Sequence, residues 1–404
     1  MPPGAGASNL LESDKMQGSR AMARNAKIWA HSGDSHFIEP DDLWTQILPK
    51  DLAARMPWTE LVEDGRMERI HVDGEVYHFP VPKIAQKRDD GRPSIVELSG
   101  RPPGARDLHA RLADLDREGI WGEVVYSSIG IWEGMIQDRE LIRRAAAAEN
   151  EWKVREVQGI GRDRLVAVAS LPMRDVSDAV AEARHAAEIG MYAVGLPTPA
   201  LPNSRNFDDK VPPLNSDYWE PLWAALEELN LVGAFHIGGD ASEHTMYSGP
   251  GGAILNYTNS TYSGQRAAMV LTACGALDRH PNLKVLISEG GAAWVPFLAD
   301  RMEEGYRQHA MFVKPKLSRS PKEILYSQVY CSFQHEASAI PTLKEGYRNV
   351  MFGSDYPHLE GTYGHTQETL HELFDGQPAD VTQRITQGSF KELFPHVSSP
   401  PALN

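Results

Sequence analysis

Residues 349–358 read NVMFGSDYPH: a short apolar run passes directly into an aspartate, a Tyr-Pro pair and a histidine. Val350–Gly353 has the length and composition of a strand buried on both faces. The same arrangement occurs upstream, where LVGAFHIGG (231–239) closes on His236 and KVLISEGG (284–291) on Glu289. Near the start, IWAHSGDSHFIE (28–39) brings Asp34, His36 and Glu39 to the end of another such run. The full set of candidate strands is Ile28–Ser35, Gly122–Tyr126, Leu165–Ala169, Ala193–Leu196, Leu231–His236, Val285–Ser288, Val329–Phe333 and Val350–Gly353. Between them, Ala179–Ile189, Tyr218–Leu229 and Trp294–Gly305 place apolar residues at helical spacing. Eight strands alternating with helices predict an α/β chain folded as a (β/α)₈ (TIM) barrel. In that fold the C-terminal ends of the strands converge on one face, where the polar residues listed above would meet.

Of the 404 residues, 41% are hydrophobic and 24% charged, which suits one barrel spanning 27–395. Residues 1–26, rich in Gly, Ser and Pro, and 396–404 read as tails. An insertion follows strand one, at about 40–106, and contains RIHVDGEVYHF (69–79). Asp73-Gly74 between alternating residues predicts a β-hairpin there. Residues 238–261, rich in Gly, Ser and Tyr, read as a loop over the site. A net charge of −15 disfavours a nucleic-acid partner. Two cysteines, Cys274 and Cys331, lie far apart, and no apolar run reaches membrane length. No leader is legible, and the expected compartment is the cytoplasm. His71, His78, His109, His280 and His396 lie away from strand ends and read as surface residues.

Alternation along an extended chain turns Asp34 and His36 to the same side. Imidazoles and carboxylates from several strands cannot share a dry barrel mouth without compensation, because burying unpaired charge is costly. A divalent cation supplies that compensation, and zinc, iron and manganese all accept these donors. Singly, each residue has a plainer role: a satisfied histidine, a cap or a turn brace. Together they select a metal site anchored on His36, His236 and Asp355.

The segments DSHFIEPDDLW (34–44), AAAAENEW (145–152), FHIGG (235–239), SEGGAAWVPFLADRM (288–302), MFGSDYPHLEGT (351–362) and ITQGSFKELF (385–394) resemble the amidohydrolase superfamily. The resemblance is to the branch of aminocarboxymuconate-semialdehyde and resorcylate decarboxylases. It implies that Asp34, His36, His236 and Asp355 are metal ligands, with Asp355 also acting on metal-bound water. This chain departs from typical members in three places. Strand one carries Asp-x-His rather than His-x-His, no lysine ends strand four (AVGLPTPA, 193–200) to bridge two metals, and strand six ends in Glu289 where the related decarboxylases have histidine.

That glutamate, with His36-Phe37-Ile38-Glu39, also resembles a minority of the superfamily with dinuclear non-haem monooxygenase activity. Asp34, His36, Glu39, His236, Glu289, Asp355 and His358 would then hold two divalent metals, Fe/Fe or Fe/Mn. Asp355 and Glu289 would act in the chemistry, with O₂ as a second substrate. The alternatives are a mononuclear Zn or Mn hydrolase or non-oxidative decarboxylase, and a non-catalytic barrel subunit. Trp294, Arg266, His335 and Tyr356 are the candidate contacts for a small organic substrate, with Arg266 and His335 suited to a carboxylate. Self-association into a homodimer or larger assembly is a further expectation of the family resemblance.

Overall fold

The computed structural model describes residues 26–63, 67–80, 102–128, 130–161, 163–199, 210–238, 246–358 and 360–401. Twelve strands occur among them: β1 (Ala30–Ser32), β2 (His36–Phe37), β3 (Trp58–Val62), β4 (Met67–Val72), β5 (Glu75–Pro80), β6 (Ile120–Ser127), β7 (Leu165–Ala169), β8 (Ala193–Leu196), β9 (Val232–His236), β10 (Val285–Ser288), β11 (Val329–Phe333) and β12 (Val350–Phe352). The main sheet runs β1-β6-β7-β8-β9-β10-β11-β12, parallel throughout, and β2 continues the first strand beside β6. The ring closes where Gly33 N donates to Phe352 O (2.8 Å) and Ser35 bridges Tyr356. This is the expected (β/α)₈ barrel.

Alternate residues divide the strands into two apolar layers. Val124, Tyr126, Val166, Val168, Ala193, Val232, Ala234, Leu286, Tyr330 and Met351 form one cluster with Phe390, Phe394 and Val397 from the C-terminal segment. Their neighbours Val125, Ala167, Phe235, Ile287, Cys331, Phe333 and Phe352 join the other cluster with the surrounding helices. The barrel is therefore filled by side chains rather than hollow. Its polar core residue His31 packs edge-on against Phe390, with centroids 4.7 Å apart. Burial, reinforced by Lys391 and Arg164, lowers the His31 pKa to about 3, so the ring is neutral.

Five expectations need correction. Strand one is two short pieces rather than Ile28–Ser35. Its chain passes so close to β12 that a Cβ on Gly33 would lie 2.5 Å from Met351 Sδ. The predicted hairpin is present, with Asp73 and Gly74 at φ 47° and 87°, but it gains β3 as a third antiparallel strand. Residues 252–261, read as loop, begin a helix, Gly252–Ala273. Its small residues Ser260, Ser263 and Gly264 are buried, and a Cβ on Gly264 would meet Ile287 at 2.5 Å. Small residues that look loop-like in sequence are what permit this close approach. His280 is buried, with its nitrogens 3.0 Å from Glu227 and Glu220. Residues 396–398, read as tail, dock: Val397 is buried and Ser398 N donates to Asp163 O at 2.7 Å. The N-terminal tail (1–25) and most of the insertion's second half (81–101) lie outside the described residues. No helix among the described residues is long and apolar enough to cross a membrane.

Phe390 closes the barrel end remote from the polar strand ends. Phe390→Ala is expected to cost roughly 3–5 kcal/mol and to lower the denaturant midpoint. The folded variant should still bind metal with unchanged stoichiometry.

Candidate metal centre

Six side chains gather at the C-terminal strand ends: Asp34 and His36 from strand one, His236 from β9, Glu289 beyond β10, and Asp355 and His358 beyond β12. Two of them sit on unusual backbone. Glu289 has φ 60° and Asp355 φ 51°, the left-handed region that residues with a Cβ rarely adopt. Neighbouring polar groups hold both turns. Glu289 N donates to Ser332 Oγ (3.0 Å), and Asp355 N donates to Asp34 O (3.0 Å). The strand-eight turn also needs Gly353, where a Cβ would stand 3.2 Å from Asp34 Cβ. Trp294, half-buried, donates from Nε1 to Gly290 O (2.9 Å) and Gly291 O (3.0 Å), fixing the chain just past Glu289. Strain of this kind is retained where it places side chains.

The donors face one another. His36 Nε2 and His236 Nε2 are 2.9 Å apart. Asp34 Oδ1 is 3.3 Å from His236 Nε2 and 3.8 Å from His36 Nε2. Asp355 Oδ1 is 3.6 Å from His36 Nε2, and Glu289 Oε2 is 3.7 Å from His236 Nε2. His358 stacks on His36 at 4.0 Å and places Nδ1 2.9 Å from Asp355 Oδ1. His236 Nδ1 donates to Ile237 O at 2.6 Å, which turns its Nε2 toward the other donors.

Asp34 and Asp355 are fully buried, and no hydrogen bond of good geometry reaches any of their four carboxylate oxygens. Such oxygens are expensive to bury unless something positive lies between them. Two nitrogens bound at right angles to one ion at about 2.1 Å would be about 3.0 Å apart, close to the spacing of His36 and His236. The donors fit a divalent cation.

Without the ion, the charges distort one another. Burial, then the charges of His358 and His236, pushes the His36 pKa well below the usual imidazole value. For His236 burial acts downward, but Asp34, Glu289 and Asp355 outweigh it and raise the pKa to about 9. Burial and Asp355 push Glu289 well above the usual carboxylate range, while burial and Asp34 do the same to Asp355.

Glu39 stands apart from these groups. It lies beyond the end of β2, and its carboxylate accepts from Ser128 N (3.3 Å) and Gly130 N (3.2 Å). Tyr356 is buried behind the cage with its hydroxyl on Asp114 Oδ2 (2.7 Å), so its ring does not line an open pocket. Arg266 donates to Pro199 O (3.4 Å), and exposed His335 bonds Glu360 O (3.2 Å). Tyr126, which strand-end reading missed, lies beneath both imidazoles. Its ring is 4.9 Å from that of His236 and 5.8 Å from that of His36, and its hydroxyl is 2.7 Å from Ser288 Oγ. Its signal was its place as the last inward residue of a strand.

Residues 123–387 match the amidohydrolase family model. The chain belongs to the amidohydrolase family. This amidohydrolase is 26% identical over 204 residues to the decarboxylase yanB of Aspergillus niger, covering 47% of this chain and 53% of that protein. The match therefore spans about half the length of that curated relative. Among solved structures, an amidohydrolase of Mycobacterium avium subsp. paratuberculosis superposes with a TM-score of 0.72 at 22% identity, over 91% of this chain and 98% of that one. The 2,6-dihydroxybenzoate decarboxylase from Rhizobium gives 0.58 at 16% identity, over 91% and 98%. A 5-carboxyvanillate decarboxylase from Novosphingobium aromaticivorans, solved with bound manganese, gives 0.62 at 14% identity, over 92% and 98%. At these identities the structural matches establish the fold.

Two measurements test the cage. His236→Ala should weaken Mn²⁺ binding by more than the roughly 10–100-fold expected of an outer-shell change, as read by calorimetric titration. Because His236 carries a proton below about pH 9, a cation must displace it. Affinity should therefore rise with pH between about 6 and 9, by up to about tenfold per unit for one displaced proton; a flat profile would contradict proton release from the cage on metal binding.

Proposed function

We propose that this amidohydrolase is a metal-dependent, non-oxidative decarboxylase of a small aromatic carboxylic acid. The observation that carries the reading is the set of fully buried Asp34 and Asp355 carboxylates, reached by no well-formed hydrogen bond, facing the paired imidazoles of His36 and His236. The names of the related decarboxylases support the reaction class and the aromatic substrate. A bound divalent ion would act as a Lewis acid toward a substrate oxygen. Asp34, His36, His236 and Asp355 would hold it, with His358 braced against Asp355.

Decarboxylation breaks the bond between ring carbon and carboxylate, releases CO₂ and requires a proton on that carbon. Glu289, at the edge of the cage with Oε2 3.7 Å from His236 Nε2 and its carboxyl pushed upward by burial and Asp355, is the group placed to deliver it. This gives the glutamate a role that needs no positive charge, unlike the histidine it replaces.

A dinuclear Fe/Fe or Fe/Mn oxygenase is the second reading, favoured by the carboxylates of Asp34, Glu289 and Asp355 in one group. It ranks lower because Glu39, which would enlarge the donor set, is engaged by backbone amides.

The test is to load the protein with Mn²⁺ or Zn²⁺, count metal, and assay CO₂ release from a panel of hydroxylated benzoates with and without oxygen. We expect one ion per chain, oxygen-independent CO₂ release, loss on chelation, and a drop of about 10²–10⁴-fold in E289Q. Two iron-type ions with substrate-dependent oxygen uptake would establish the second reading instead.

A further inference from the structure

We infer that Arg111 is a positioning residue that sets the metal affinity of the cage by joining, from behind, the backbone at His36 to the Tyr356 ring in the segment that follows strand eight. This rests on the reading of the cage as a metal site. Arg111 lies on the helix Leu108–Glu118 and is fully buried. Its Nη1 donates to His36 O (2.8 Å) and Gly104 O (3.3 Å), and its Nε pairs with Glu123 on β6, itself fully buried. The guanidinium lies 4.7 Å from the centroid of the Tyr356 ring. Tyr356 directly follows Asp355, and its carbonyl accepts from His36 N at 2.6 Å. One cation thus touches both segments whose side chains, His36 and Asp355, face each other at 3.6 Å.

The same helix secures Tyr356 a second time, through Asp114 Oδ2 on its hydroxyl. There is no slack in this assembly. A Cβ on Gly104 would lie 2.5 Å from Arg111 Cα and 2.6 Å from both Asp114 Oδ2 and Tyr356 Oη. A buried Arg–Glu pair is a poor source of net stability, since apolar residues of similar volume often do as well. What a planar, multiply bonded guanidinium does supply is fixed geometry. Here that geometry runs to a ligand's carbonyl on one side and to the residue following a ligand on the other. Groups that orient metal ligands in this way typically control about 10–100-fold in affinity.

Calorimetric Mn²⁺ titration, with circular dichroism and thermal melts on the same samples, tests this in the wild type, R111M, R111K and E123Q. Wild type should bind one ion. R111M should remain folded yet bind Mn²⁺ about 10–100-fold more weakly. R111K should bind with intermediate affinity, because a single ammonium nitrogen lacks the two separate donor atoms, Nε and Nη1, with which the guanidinium reaches Glu123 and His36 O. Normal Mn²⁺ affinity in an R111M that melts lower would overturn the proposal and leave Arg111 a purely structural residue. Should R111M fail to fold, E123Q decides: weakened Mn²⁺ binding supports the positioning role, and wild-type binding overturns it. A wild type that binds no Mn²⁺ at any pH removes the cage reading itself, an outcome distinct from either.

Discussion

Three carboxylates and two inward-facing imidazoles share a space from which water is nearly excluded, and this constraint governs the rest of the structure. Left to themselves Asp34, Glu289 and Asp355 repel one another, which shows in the upward displacement of the Glu289 and Asp355 pKa values and of His236. A closed barrel is one of few architectures that can impose such crowding, because the strand ends are fixed by continuous backbone pairing on both sides. The crowding becomes favourable once a cation supplies the missing positive charge.

Support for the cage comes in layers. Ser332 and the Asp34 carbonyl hold the two strained turns, and Trp294 fixes the chain beyond Glu289. Beneath, Tyr126 and Ser288 make a polar floor on which the imidazoles rest. Behind, Arg111 and Glu123 join the strand-one and strand-eight segments where the barrel closes. Below all of these the interior turns apolar, ending in the Phe390 plug. Polarity thus rises along the barrel axis toward the face where function resides.

Glu289 adds a third carboxylate to the two aspartates of the cage. A carboxylic acid at that place can give a proton without adding a positive charge. It also makes the cage more acidic, which raises its demand for a cation.

The sequence by itself determined strands two to eight to within two residues at either end, because parallel barrel strands are short, apolar and bounded by polar turns, while strand one proved broken in two. It also determined which residues reach the catalytic face, since that depends only on being at a strand end. Asp34, His36, His236, Glu289, Asp355 and His358 were all legible this way. Tertiary structure alone decided the rest. Glu39 stood out by its His-x-x-Glu spacing from His36, and only the folded chain brings its carboxylate to the amides of Ser128 and Gly130. Residues 252–261 looked like loop because Gly, Ser and Tyr carry little helical pattern, yet close packing on Ile287 stabilises a helix there. Arg111 carried no signal at all: its role comes from contacts with His36 and Tyr356, 75 and 245 positions away, which only the closed barrel brings together.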